Sequence, residues 1–192
     1  MTPPSRRADA AENRARILVA ARSALASSEE FKLNAIAKQA GVGQGTLYRH
    51  FPTREDLLAA VYRRDVEELV TAASVLLAEN EPVTALALWF DRVADYARIK
   101  RWVFTALEVG VWQDLSAHSR GPIGDAVTVL LDAGKADGTI RTDVDARDVI
   151  LLIGYLTRLD DSEWSTRARH LLTVVLDGLR RVDGDVGRLP LR

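Results

Sequence analysis

The chain has 192 residues, 47% apolar and 28% charged, enough for one medium domain or for a small domain joined to a larger one, with a buried core. It has no cysteine, which excludes a disulfide, a thiolate nucleophile and a cysteine-ligated zinc. No apolar run reaches the ~18 residues of a membrane span. Net charge is −1, yet residues 1–64 carry +5 and residues 65–192 carry −6: a basic head on an acidic body, as a reader of phosphate-bearing nucleic acid needs.

Met1 to Arg7 is polar and basic, with no apolar segment behind it before Ile17, unlike a secretory signal peptide. The chain reads as a cytoplasmic protein with no membrane partner. Apolar residues recur at three and four, as in Ile17, Leu18, Ala21 and Leu25, and strand-like alternation is hard to find. An all-α protein of about nine helices is expected. The first covers about Asp9 to Ser27. The second covers about Leu33 to Ala40 and stops at Gly41. The third covers about Gln44 to His50, before Pro52. A fourth starts after Thr53, with Glu55 and Asp56 complementing its dipole, and runs to about Ala78.

Asn80 and Pro82 open a fifth helix, which carries Leu86, Trp89, Phe90, Val93 and Ala97. A sixth is expected over about Lys100 to Leu115. Gly121-Pro122 opens a seventh, ending near Asp137-Gly138. Asp143 or Asp145 caps an eighth. Asp160-Asp161-Ser162 links to a ninth, which runs to about Val182. The Gly- and charge-rich tail from Asp183 reads as frayed.

The stretch from Leu33 to Leu58 carries the functional signal. Two short helices are separated by Ala40-Gly41-Val42, and Gly41 permits the sharp turn. Ile36, Ala37, Ala40, Val42 and Leu47 can pack the two helices on each other and on the first. Such a helix-turn-helix places its second helix in the DNA major groove. Gln44, Thr46, Tyr48, Arg49 and His50 are left facing outward, with groups suited to base edges and phosphates. No acid lies between Glu30 and Glu55, as expected where phosphates approach. The competing account is an ordinary solvated helical corner.

The run AIAKQAGVGQGTLYRHFPTREDLL resembles the signature of the TetR (tetracycline repressor) family: Ile-Ala, Ala-Gly-Val, Gly-Thr-Leu-Tyr, a Phe close, a basic residue and a Glu-x-Leu-Leu helix start. The resemblance implies a DNA-binding domain over 1–56 and a ligand-binding, dimerising domain over 57–192. It implies base or phosphate contact for Thr46, phosphate contact for Tyr48 and His50, and a backbone grip for Arg54. Gln44 falls where a base-reading side chain is common, and Asn34 is a weaker base-edge candidate. Gly45 and Arg49 complete the expected face. Two positions depart from the pattern: Gly43 and Lys32 stand where capping Ser or Thr is usual, and a side-chain cap is worth about 1 kcal/mol. Lys32 can offset its loss by reaching a phosphate.

In the body, Trp89, Trp102, Phe104, Glu108, Trp112 and Tyr155 are candidates to line an apolar pocket between helices. The alternative for each aromatic is plain core, and for Glu108 a place in water. Val149 to Leu156 is nearly apolar all round, and the last helix carries Leu171, Val174, Val175 and Leu179. Two copies of these helices would bury one another. Ile153, Leu171, Val175 and Leu179 are therefore candidate dimer contacts, an arrangement the family also implies; a monomer with a thick core is the rival.

No phosphate-binding Gly loop, metal-ligand spacing or GxSxG elbow occurs, so no catalytic residue, metal or cofactor is assigned. The expected function is a repressor that binds a palindromic operator as a homodimer and is released by a small apolar or aromatic molecule. A DNA-binding architectural protein, or an activator without an inducer, is the alternative.

Overall fold

The computed structural model describes residues 6–26 and 31–181. The order of elements is α1 (Arg6–Ala26), α2 (Leu33–Gln39), α3 (Gln44–His50), α4 (Arg54–Glu79), α5 (Pro82–Ala106), α6 (Val109–Ala136), α7 (Ala146–Ile153), a 3-10 helix (Gly154–Arg158) and α8 (Asp161–Leu179). The fold is all-α, as expected. Among the described residues the one extended pairing is an isolated antiparallel bridge between Ile140 and Arg180. No helix among them is long and apolar enough to cross a membrane. The predicted ends of the first and last helices, at Ser27 and Val182, and the tail from Asp183 lie outside the described residues.

Local chemistry explains the first boundaries. Gly41 has φ 64°, a conformation that any Cβ makes costly, and its N–H donates to the Lys38 carbonyl, closing α2. Thr53 and Asp56 cap each other at the start of α4. The Asp56 N–H donates to Thr53 Oγ1 at 3.0 Å, while the Thr53 N–H and hydroxyl donate to Asp56 Oδ2. This reciprocal bond satisfies donors that a helix start leaves orphaned.

Two expectations are corrected in the middle of the chain. No break occurs near Lys100; α5 continues to Ala106 and the interruption falls at Leu107-Glu108. Ile99 to Ala106 contains neither Gly nor Pro, so nothing local stops the helix. Gly121-Pro122, in contrast, lies inside α6. A mid-helix proline removes one hydrogen bond and costs about 3 kcal/mol. Leu115 before it and Ala126, Val127, Leu130 and Leu131 after it are all buried, and burying large side chains contributes about 1.5–3 kcal/mol each, which outweighs the loss.

The chain folds as two compact units. One comprises Met1–Val66 with Asp95–Ala117, the other Glu67–Ala94 with His118–Arg192. In the first unit, Ile17, Ala21, Ile36, Ala37, Leu47 and Leu57 are buried. Arg22 Nε donates to Asp65 at 2.8 Å. Tyr62 and Tyr96 share a hydroxyl–hydroxyl hydrogen bond of 3.0 Å, and the Trp112 ring meets Tyr62 edge-on.

In the second unit, Trp89 is fully buried and its indole N–H donates to the Leu69 carbonyl at 2.9 Å. Of the two capping candidates, Asp145 is the cap of α7, in a reciprocal box with Asp148. Asp160 caps α8, accepting from the Glu163 N–H. Gly134 lies so close against the Ile140 side chain that no Cβ fits there. The Arg181 N–H to the Thr139 carbonyl and the Arg141 N–H to the Leu179 carbonyl tie the end of α8 to the segment after α6.

Candidate nucleic-acid interface

Helices α2 and α3 are held by few, well-defined contacts. The Val42 N–H donates to the Ala37 carbonyl at 3.0 Å, bridging the turn, and the Thr46 and Leu47 N–H groups both donate to the Gly43 carbonyl, starting α3. Ile36, Ala37, Ala40 and Leu47 are buried and fasten the pair to α1. Phe51, 2% exposed, ends α3 as its C-cap in an extended conformation. Neither Lys32 before α2 nor Gly43 before α3 makes a side-chain cap. Both starts thus lack the stabilisation that the usual Ser or Thr provides, as the sequence indicated.

With Leu47 inward, the opposite face of α3 is open. Gln44, Gly45, Tyr48 and Arg49 are exposed, and Thr46 and His50 are half-buried. Lys32 and Asn34 are exposed at the start of α2. Asn34 Oδ1 accepts from the Ala35 N–H at 2.8 Å, which engages its acceptor and leaves its NH2 donors outward. Arg54, exposed at the start of α4, sits with its guanidinium over the Phe31 ring, 5.4 Å from the centroid. All nine predicted DNA-facing residues therefore lie at the surface of one compact unit, on an arc of sequence without a carboxylate between Glu30 and Glu55. A small helix with donors and cations on one face and no acid is fitted to enter a major groove.

The predicted pocket residues divide. Trp102, Phe104, Glu108 and Trp112 fall in the first unit, Trp89 and Tyr155 in the second. Trp89, with its N–H satisfied, is plain core of its unit. Phe104 is 55% exposed and Glu108 is exposed at the break before α6, because the chain interrupts the helix at 107–108; neither is a buried lining residue here. Phe104 stands edge-on to Trp112 at 5.3 Å. The Lys100 ammonium lies 5.7 Å from the Trp112 ring centroid and 5.9 Å from that of Tyr96. The Trp102 indole N–H and the Tyr155 hydroxyl are buried without a hydrogen-bond partner among the described residues, and burial pushes the Tyr155 phenol pKa up.

Of the predicted dimer contacts, Ile153, Leu171 and Val175 are half-buried. Leu179 is 1% exposed within the single chain. Its side chain belongs to the core of its own unit and has no surface to offer a partner. Leu151, Leu152 and Val174 are instead the large apolar side chains left open on α7 and α8. The helical period pointed to these elements, but which side of each faced inward depended on packing. Missed altogether were Arg14 on Phe51, Arg54 on Phe31 and Arg22 with Asp65, because each joins residues far apart in sequence and no spacing rule pairs them.

The helix-turn-helix and its exposed acid-free face define a DNA-binding transcriptional regulator. Residues 17–61 match the family described as "Bacterial regulatory proteins, tetR family", and residues 81–181 match "Transcriptional regulator SbtR-like, C-terminal domain". The chain belongs to the TetR family of transcriptional regulators.

Among solved structures, the TetR transcriptional regulator SCO0520 from Streptomyces coelicolor is 38% identical with a TM-score of 0.76, over 88% of this chain and 99% of that one. The TetR transcription regulatory protein from Mycobacterium vanbaalenii is 33% identical with a TM-score of 0.73, over 91% and 99%. An HTH-type transcriptional regulator of Staphylococcus aureus (strain USA300) is 43% identical over 67 residues, 34% of this chain and 36% of that protein's length. The similarity to that regulator thus spans little more than a third of it.

Proposed function

We propose that the chain is a cytoplasmic, homodimeric repressor that binds a palindromic DNA operator and is released by a small, largely apolar or aromatic effector. Residues 1–56 read DNA; residues 57–192 dimerise and hold the effector. The observation that carries the dimer is the open apolar surface of Leu151, Leu152 and Val174, 61%, 49% and 53% exposed on adjoining helices. Exposed apolar side chains on two contacting helices of this family are explained by a second copy of the same surface. A two-fold pair of heads reads two half-sites related by the same symmetry.

Within each head, Gln44 and Asn34 read base edges, while Thr46, Tyr48, Arg49, His50, Lys32, Arg54 and the backbone at Gly45 hold phosphates and set the register. The effector reading is supported by the Trp102 indole N–H, buried without a hydrogen-bond partner among the described residues. Buried donors without partners are rare and call for a water or a ligand. An effector here would combine apolar bulk with at least one acceptor. Release requires that it bind one dimer conformation better than the other.

The test is selection of preferred duplexes from a random pool by the full chain, followed by displacement with small molecules. Recovery of a palindrome that a compound displaces supports the whole reading. A palindrome that no compound displaces leaves an architectural protein or an uninduced activator. Recovery of no preferred duplex removes the operator.

A further inference from the structure

We propose that Arg14 is a further phosphate-gripping cation of the head, and that Phe51 and Phe31 are the shelves that orient Arg14 and Arg54 for this task. The inference rests on the operator-binding reading and adds a contact residue and two positioning residues to it.

The two arginines have the same unusual environment. The Arg14 guanidinium, exposed on α1, lies over the Phe51 ring at 5.1 Å from its centroid. The Arg54 guanidinium, exposed at the start of α4, lies over the Phe31 ring at 5.4 Å. Among the described residues neither has a carboxylate partner. Four arginines elsewhere in the chain are instead paired with acids: Arg22 with Asp65, Arg141 with Asp143, Arg167 with Glu163 and Arg169 with Asp91.

The difference matters chemically. A carboxylate partner accepts guanidinium N–H donors and cancels the charge. An aromatic ring attracts the cation through its quadrupole and takes up none of those donors in conventional hydrogen bonds. A guanidinium on a ring keeps its charge and its planar fork, with fewer rotamers to lose when a phosphate arrives. The rings themselves are placed by the reading head. Phe51 is the C-cap of α3 and is buried, so it fixes Arg14 beside the end of the recognition helix that carries His50. Phe31 precedes α2 directly, next to Lys32. The two ring-held cations therefore sit on α1, which packs on both α2 and α3, and at the start of α4, which follows them in the chain.

The experiment measures binding of the full chain to a labelled mixed-sequence duplex of about 30 base pairs between roughly 50 and 200 mM salt, where each neutralised phosphate contributes about 0.9 to the slope of log affinity against log salt. Arg14→Gln is expected to lower that slope by about 0.9 and low-salt affinity by about tenfold, as is Arg54→Gln. Arg14→Lys keeps the slope but binds more weakly. Phe31→Leu lowers affinity a few-fold at unchanged slope, and has no further effect in the Arg54→Gln background.

Circular dichroism melts accompany each variant. An Arg14→Gln protein with an unchanged slope, whether or not its melting point falls, overturns the phosphate contact. Additive losses for Phe31→Leu and Arg54→Gln overturn the shelf. If the wild-type chain binds no duplex at all, the operator reading fails with it; if it binds and only these variants disagree, this inference alone is lost.

Discussion

The Nε of Arg22 on α1 donates to the Asp65 carboxylate on α4 at 2.8 Å, although 43 residues separate them. The Asp65 side chain is 2% exposed and that of Arg22 40%. The pair ties the first helix of the reading head to the helix that leaves it. Tyr62, one turn earlier on α4, bonds Tyr96 of α5 and meets Trp112 of α6.

Removing the two partners should therefore have unequal effects. Arg22→Met leaves the buried Asp65 carboxylate without its guanidinium, and losing the partner of a buried charged group costs about 2–3 kcal/mol. Asp65→Asn leaves a half-exposed arginine that water can solvate, and should cost less. The double variant should cost less than the two singles added, since they share one interaction. Urea denaturation of all three checks this; strictly additive losses would show that the pair is not coupled.

Gly41→Ala should destabilise the head by about 1–2 kcal/mol, since Gly41 has φ 64° and an L side chain is strained there. Space is not the obstacle, as the nearest atom to an added Cβ is Arg16 Nη1 at 3.5 Å. Gly41→Asn should recover part of the loss, because Asn tolerates this conformation better than Ala. Equal melting temperatures for Ala and Asn would contradict the backbone explanation.

Val174→Arg should convert the proposed dimer to a monomer without unfolding it. Val174 is 53% exposed in the single chain, so arginine meets no core there, but two copies would bring like charges into an apolar interface. Light scattering at micromolar protein reads the mass. A wild type that is already monomeric would remove the dimer; an unfolded variant would show that this surface is needed within the chain itself.

Gln44→Ala should relax base choice at one position per half-site by about 1–3 kcal/mol, because Gln44 is exposed at the start of α3 and an amide can bond a base edge in two places. Arg54→Ala should weaken all duplexes alike. Repeating the duplex selection with each variant separates the two roles; an unchanged preference for Gln44→Ala would reassign that residue to positioning.

Binding of the proposed effector should quench tryptophan emission and release the operator together, since the buried indole N–H of Trp102 lacks a partner among the described residues. Moving a 1:99 equilibrium to 99:1 needs about 5.5 kcal/mol of differential affinity. A compound that quenches emission yet leaves operator affinity untouched would show a pocket uncoupled from the head.

Much of the head was written in local chemistry. Gly41 for the turn, Thr53 and Asp56 for the α4 cap, and the outward run from Gln44 to His50 depend on residues within a few positions of each other, so the chain alone placed α3 and the acid-free face it presents. The absence of caps at Lys32 and Gly43 was equally local. Only the tertiary structure decided the rest. Pro122 sits within a continuous α6 because burial on either side of it outweighs one missing hydrogen bond. Leu179 is core while Val174 is surface, though both are apolar residues of α8, because period alone does not say which neighbour covers which stripe. Arg14 and Arg54 stand on Phe51 and Phe31, and Arg22 on Asp65, because side chains remote in sequence become neighbours only when helices pack, and long-range contacts carry no sequence spacing from which to read them.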